Sequence, residues 1–215
     1  SEMLNRALRR FLRLLWRLIW RGALGFVVLS VALVLLFRFV PPPGSMVMVE
    51  RKVQSWINSE PIDIQRQWRS WENLSSNAKL AVISAEDQRF PQHRGFDFVE
   101  MRRAWEASRD GERLRGASTL SQQTAKNVFL WSGRSWVRKG LEAWFTLLIE
   151  TLWGKQRILE VYLNVAEWDT GVFGLEAAAN HYFGASGSAL TERQASLLAA
   201  ILPNPRNRSA SRPDA

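Results

Sequence analysis

The sequence has no cysteine and only two histidines, His93 and His181. The first absence excludes disulfides, thiolate nucleophiles and cysteine-bound metals, and it suits an oxidising compartment without selecting one. No dedicated metal cluster is visible, so no cofactor is expected. No internal repeat, sustained period-two alternation or hairpin signal is present, which argues against a β architecture. What is there is a chain of 215 residues, 47% of them apolar. That is enough for one sizeable core, or one domain plus an anchor, and it argues against wholesale disorder.

Basic residues outnumber acidic ones by 29 to 20, a formal net charge of +9. A nucleic-acid partner is the obvious inference, but the charge is unevenly placed. Residues 1–21 hold six arginines against Glu2, a net of +5, which leaves +4 for the other 194 residues. An arginine cluster beside a hydrophobic run fits an anionic membrane surface better than DNA, so no nucleic acid is expected as a partner.

That hydrophobic run, Gly22 to Phe37, carries no charge over 16 residues. Counted from Leu18 to Val40, with Arg21 and Arg38 able to snorkel at the ends, it can cross ~30 Å of hydrocarbon. Trp16 and Trp20 fall at the level of an aromatic belt, and the preceding arginines put the N-terminus in the cytoplasm. A cleaved signal peptide competes with this reading, but the run is long for one and lacks a small-x-small exit. Residues 1–21 therefore form a cytoplasmic basic segment, 22–40 a transmembrane helix and 41–46 a linker. Residues 47–205 form the main domain and 206–215 a polar tail. Arg6, Arg10, Arg13, Arg17 and Arg21 recur at helical spacing, so the helix is expected to continue below the bilayer until Pro41–Pro43 end it.

The main domain reads as mainly α. Helices are expected over Ser76–Asp87, Phe98–Ser108, Thr119–Leu130, Ser135–Trp153, Lys155–Asn164, Gly171–Tyr182 and Thr191–Ile201, mostly separated by Gly or Pro. Glu86 and Asp87 fall at the last turn of the first, where the helix dipole disfavours a carboxylate and burial raises its pKa. Such a carboxylate suits a general base; the plain alternative is a pair bonded to Arg89 and Arg94. In "GASTLSQQTAKNVFL", Thr119 and Gln122 match a capping box, and Gln122, Gln123 and Lys126 share a polar face suited to a phosphate. An ordinary capped, solvated helix fits equally well. Arg134, Arg138 and Glu142 lie at i, i+4 and i+8, either a surface ion pair worth ~0.3–0.5 kcal/mol or an extension of the cationic site. The stripe Ile158, Leu159, Tyr162 and Leu163 reads as core, and His181 as structural.

Together these stretches resemble the peptidoglycan glycosyltransferases of family 51, in particular the monofunctional biosynthetic type. Five signature regions occur in order. They are Glu86-Asp87-x-x-Phe90-x-x-His93-x-Gly95-x-Asp97, Gly116-Ala-Ser-Thr-Leu-Ser-Gln-Gln-x-x-Lys126-Asn127, Arg138-Lys139-x-x-Glu142, Lys155-x-x-Ile158-Leu159-Glu160-x-Tyr162-Leu163-Asn164, and Leu202-Pro203-x-Pro205. They span roughly 60% of the chain.

The resemblance implies a lysozyme-like, two-lobed helical fold and polymerisation of lipid II into β-1,4 glycan, with loss of undecaprenyl pyrophosphate. It implies Glu86 as base and Glu142 as second essential carboxylate. Lys126 and Arg134 would hold the departing pyrophosphate, while Gln122, Gln123, Ser118 and Thr119 shape the donor site. Asp87, Asn127, Arg138 and, more loosely, Arg103 complete the substrate-binding set.

Lipid II, the growing lipid-linked chain, the bilayer and other cell-wall synthesis or division proteins are the implied partners. Stimulation by Mg2+ or Mn2+ is a further implication, as is a catalytic domain on the periplasmic side of the inner membrane. The stretch around Phe98, Met101 and Trp105 is implied to lie against lipid. Ala117 stands where the family often has a second glycine, and Trp168-Asp169-Thr170 is unusual before Gly171. The chain stops where relatives usually add another helix, so truncation is expected. A lysozyme or lytic transglycosylase also places a glutamate near glycan, but it needs no cations for a pyrophosphate. A silent, membrane-tethered wall-binding protein leaves the five motifs as coincidence.

Overall fold

The computed structural model describes residues 2–111 and 116–202. Helix α1 runs unbroken over Glu2–Phe39 and stops just ahead of the proline run, joining the basic segment and the apolar run in one rod. It is long and apolar enough to cross a membrane. The helices that follow are α2 (Met46–Ile57), α3 (Ser76–Glu86), α4 (Phe98–Arg109), α5 (Leu120–Phe129), α6 (Trp136–Leu152), α7 (Lys155–Val165), α8 (Leu175–Phe183) and α9 (Glu192–Ile201).

Side-chain caps start most of them. Ser45, Ser75, Asp97 and Ser135 each accept an N–H from three residues on, and Thr119 and Thr191 form full capping boxes with Gln122 and Gln194. Helix α2 was not delimited by the sequence reading; it begins at Met46, inside the expected linker.

The core is built around α7, whose residues Ile158 to Val165 are all buried. Helix α5 packs between α6 and α7, and α3 packs on α9. Among the described residues, thirty buried apolar side chains form one cluster that includes Val34 of α1. The apolar run is therefore more than an anchor. Trp144 Nε1 donates to Ser30 Oγ at 3.0 Å, Trp153 Nε1 to the Val34 carbonyl at 2.7 Å, and Arg157 Nη2 to the Phe37 carbonyl at 2.8 Å. These contacts dock the run on the domain, which a transmembrane reading of residues 22–40 does not by itself include.

A small sheet corrects an expectation. Strands β1 (Gln65–Arg66), β2 (Glu167–Asp169) and β3 (Val172–Phe173) pair in the order β1-β3-β2, with β1 parallel and β2 antiparallel to β3. Residues 171–174, expected to open a helix, instead turn and extend, and α8 begins only at Leu175. Gly171 and Gly174 have φ of +77° and +87°, and a Cβ on either would sit 2.7 Å from a backbone oxygen. The hairpin buries Trp168 completely, and its Nε1 donates to the Leu198 carbonyl at 3.0 Å. The tail from residue 203, with Pro203 and Pro205 of the fifth motif, lies outside the described residues.

Candidate active site

Helix α3 ends on Glu86, and Asp87 caps it through its own N–H to the Ile83 carbonyl. A tight turn follows and buries Phe90. His93 Nδ1 accepts the Gly95 N–H at 3.0 Å, which leaves Nε2 facing Asp87 Oδ2 at 2.7 Å. The same carboxylate oxygen accepts the Leu120 N–H, the first of α5, at 3.0 Å. Thr119 Oγ1 donates to the Gly95 carbonyl at 2.6 Å. The end of α3 is thus tied to the start of α5 by buried polar groups that leave Asp87 almost no open surface. The pairing with Arg89 and Arg94 does not form; Arg89 pairs with Asp97, the cap of α4, at 3.2 Å.

Glu86 escapes this clamp. It stands half-buried on a cleft of about 510 Å³ whose wall includes Asp87, Glu100, Arg103, Ser118 and Thr119. Burial pushes its pKa up, and the charge of Asp87 adds to that push. The Gln123 hydrogen bond (Nε2 to Glu86 Oε2, 3.3 Å) and the charge of Lys126 pull the other way. A carboxyl held above its ordinary range by desolvation is suited to taking a proton near neutrality.

Lys126 lies one turn along α5 from Gln123. It opens onto a groove of about 360 Å³ bounded by Val47, Ser132, Gly133, Arg134 and Arg138. A smaller pocket of about 210 Å³ shares Val47, Lys126 and Ser132 with that groove and is also lined by Gln123, Asn127 and Tyr162. Burial lowers the pKa of Lys126; Glu142 and Glu86 oppose this, while Arg138 and Lys139 reinforce it. Lys126 has no salt-bridge partner among the described residues.

Beside it, Arg138 Nη1 and Lys139 Nζ both donate to Glu142, at 3.2 and 3.0 Å. The buried Nε of Arg138 has no acceptor in the described structure. A half-buried lysine, the Arg138 guanidinium and an exposed Arg134 border one groove, an arrangement chemically able to hold an anion.

Of the residues singled out in the sequence, Glu86, Asp87, Arg103, Ser118 and Thr119 meet at the first cleft. Lys126, Arg134 and Arg138 meet at the groove, with Gln123 and Asn127 on the adjoining pocket. Gln122 and Glu142 line none of these spaces. The Gln122 Oε1 is taken by the Thr119 N–H, and both residues are nearly inaccessible, so the capping box holds the loop. Tyr162 was missed because it reads as one more residue of a buried stripe. Its hydroxyl donates to Gln123 Oε1 at 3.3 Å, behind the bond from Gln123 to Glu86. Among the described residues no group of three or more His, Asp and Glu side chains forms a metal-binding arrangement.

The sequence model of the family described as transglycosylase matches residues 52–215, three quarters of the chain. The chain belongs to the transglycosylase family. A biosynthetic peptidoglycan transglycosylase of Chromohalobacter salexigens is 71% identical over 190 residues, covering 88% of this chain and 81% of that one. Proteins of the same name from Pseudomonas aeruginosa and Pseudomonas fluorescens are 63% identical over 190 residues and 62% over 193, covering 82% and 80% of their lengths. The transglycosylase region so delimited begins within α2 and contains Glu86, Lys126, Arg134 and Arg138.

Proposed function

We propose that this chain is a peptidoglycan glycosyltransferase that polymerises lipid II into linear β-1,4 glycan and releases undecaprenyl pyrophosphate. The observation that carries the reading is one helix, α5, serving two sites. Its Gln123 holds Glu86, and one turn on, Lys126, with no salt-bridge partner among the described residues, lines the cationic groove.

Glu86 removes the proton from the 4-hydroxyl of the acceptor N-acetylglucosamine. The freed oxygen attacks C1 of the lipid-linked muramic acid from the face opposite the phosphate. The C1–O bond to pyrophosphate breaks and takes the electron pair, so an α-linked donor becomes a β-linked product. Charge develops on the leaving pyrophosphate, and Lys126, Arg134 and Arg138 stabilise it from fixed positions in a partly dry groove. Glu142 acts behind them by orienting Arg138 and Lys139. Asp87 and Thr119 hold the base in place, and Ser118 and Arg103 line the space left for sugar and phosphate. Helix α1 anchors the enzyme as a single span, with its arginine-rich end in the cytoplasm and the catalytic domain on the periplasmic side.

Incubating the full chain with labelled lipid II in detergent tests this directly. A ladder of glycans from the native protein, lost in a folded Lys126→Ala variant, is the expected result. Muropeptides released from whole sacculi, with no ladder, would establish the hydrolase reading, which gives the cationic groove no task.

A further inference from the structure

Helix α2 is amphipathic in the wrong sense for a soluble protein. Met46, Val49, Val53, Trp56 and Ile57 recur at i, i+3, i+7, i+10 and i+11, one stripe of a helix. All five face outward, with Trp56 and Ile57 at 70% and 75% exposure. The three charged residues, Glu50, Arg51 and Lys52, are all less exposed than these. They turn toward the domain instead. Arg51 Nε pairs with Glu167 at 2.9 Å, Lys52 Nζ donates to the Ile62 carbonyl at 3.1 Å, and Glu50 accepts from the backbone and hydroxyl of Ser132. A helix packed by its charges and Met48, with five further apolar residues outside, is built to meet something apolar.

We propose that this stripe is a lipid-contact surface, lying in the headgroup–acyl boundary of the bilayer leaflet at the C-terminal end of α1. Chain continuity selects lipid as the occupant. Helix α1, long and apolar enough to span, ends at Phe39, and only residues 40–45 separate it from α2. Six residues reach no farther than about 20 Å, so α2 cannot leave the vicinity of the membrane surface. Three of those six are prolines, which stiffen the link further. Trp56, near the C-terminal end of the stripe, is the residue type that prefers that boundary.

The placement has a consequence for the site. Val47 lines the groove around Lys126, and Val47, Glu50 and Arg51 line the adjoining pocket. A helix seated in the boundary therefore sets the height of the cationic groove at the level of lipid phosphates.

The absence of native cysteine makes the test clean, since Val53→Cys supplies a single attachment point in the full chain. The variant is labelled with an environment-sensitive fluorophore and reconstituted in phospholipid vesicles without substrate. Ala189→Cys, exposed elsewhere on the domain, is the reference. The Val53 label is expected to be quenched several-fold more than the reference by lipids brominated near the headgroup, and to be shielded from aqueous iodide. Iodide quenching equal to the reference overturns the proposal. Shielding from both quenchers also overturns it, because protein, a second copy or another segment of the chain then covers the stripe. No substrate is involved, so failure here leaves the polymerase reading standing.

Discussion

Glu86 owes its proton affinity to burial more than to any neighbour, and the residue that restrains it sits behind it. Tyr162 donates to the carbonyl oxygen of Gln123, which fixes the amide so that its nitrogen faces Glu86. Burial, reinforced by the charge of Glu86, raises the Tyr162 pKa well above its usual value, so the hydroxyl stays a donor throughout any practical assay. Tyr162→Phe frees the amide to turn and weakens the bond to the ionised carboxylate. That bond lowers the Glu86 pKa, so losing it moves the acid limb of the rate–pH profile upward. The alkaline plateau is expected to survive. A uniform fall at every pH with the limb unmoved would make Tyr162 merely structural. Period counting could not show this, because it treats a tyrosine in an apolar stripe as core and does not register what its hydroxyl reaches.

At the scale of elements, α1 was half legible. Its length, its uncharged run and its stop before three prolines all follow from local sequence. Its docking does not, because the partners Trp144, Trp153 and Arg157 lie more than 100 residues away. Val34 is fully buried at this contact, and the aromatic contacts of Phe26 with Phe145 and Phe37 with Phe129 add close packing, the force that holds helices together where no water is displaced. Removing residues 1–40 should therefore lower the melting temperature of the domain in detergent, and it should leave Trp153 and Arg157 without their carbonyl acceptors. Equal melting of truncated and full chains would show that the apolar run only tethers. The hairpin at Trp168 was hidden for a different reason: two- and three-residue strands are too short for period-two alternation to register. The apolar stripe of helix α2 recurs at helical spacing in the sequence, but spacing alone does not show that it faces away from the core.

Across the molecule, the two sites share a single frame. Asp87 pins the start of α5 to the end of α3, α5 carries Gln123 and Lys126, and Glu142 on α6 steadies the remaining cations. The candidate residues were legible as a set because the five motifs occur in order. Their division of labour was legible only in part: the capping box of Thr119 and Gln122 is readable from spacing, whereas only contacts show that Gln123 reaches Glu86 and that Glu142 holds Arg138 and Lys139. The same frame sets a cost. The raised pKa of Glu86 means the native state holds this proton more tightly than the unfolded chain does. Its contribution to stability is complete below the ordinary value of 4.5 and is lost as pH rises through the raised one. Above the raised value the ionised, half-buried Glu86 is thus the form the fold favours less.

Glu86→Gln in the full chain, assayed with labelled lipid II at neutral pH and melted in parallel, is therefore the most direct measurement. The account predicts a glycan ladder from the native protein, a loss of at least about 10²-fold in the variant, and a variant that melts no lower than the native chain. A ladder of normal rate from the folded variant would contradict it.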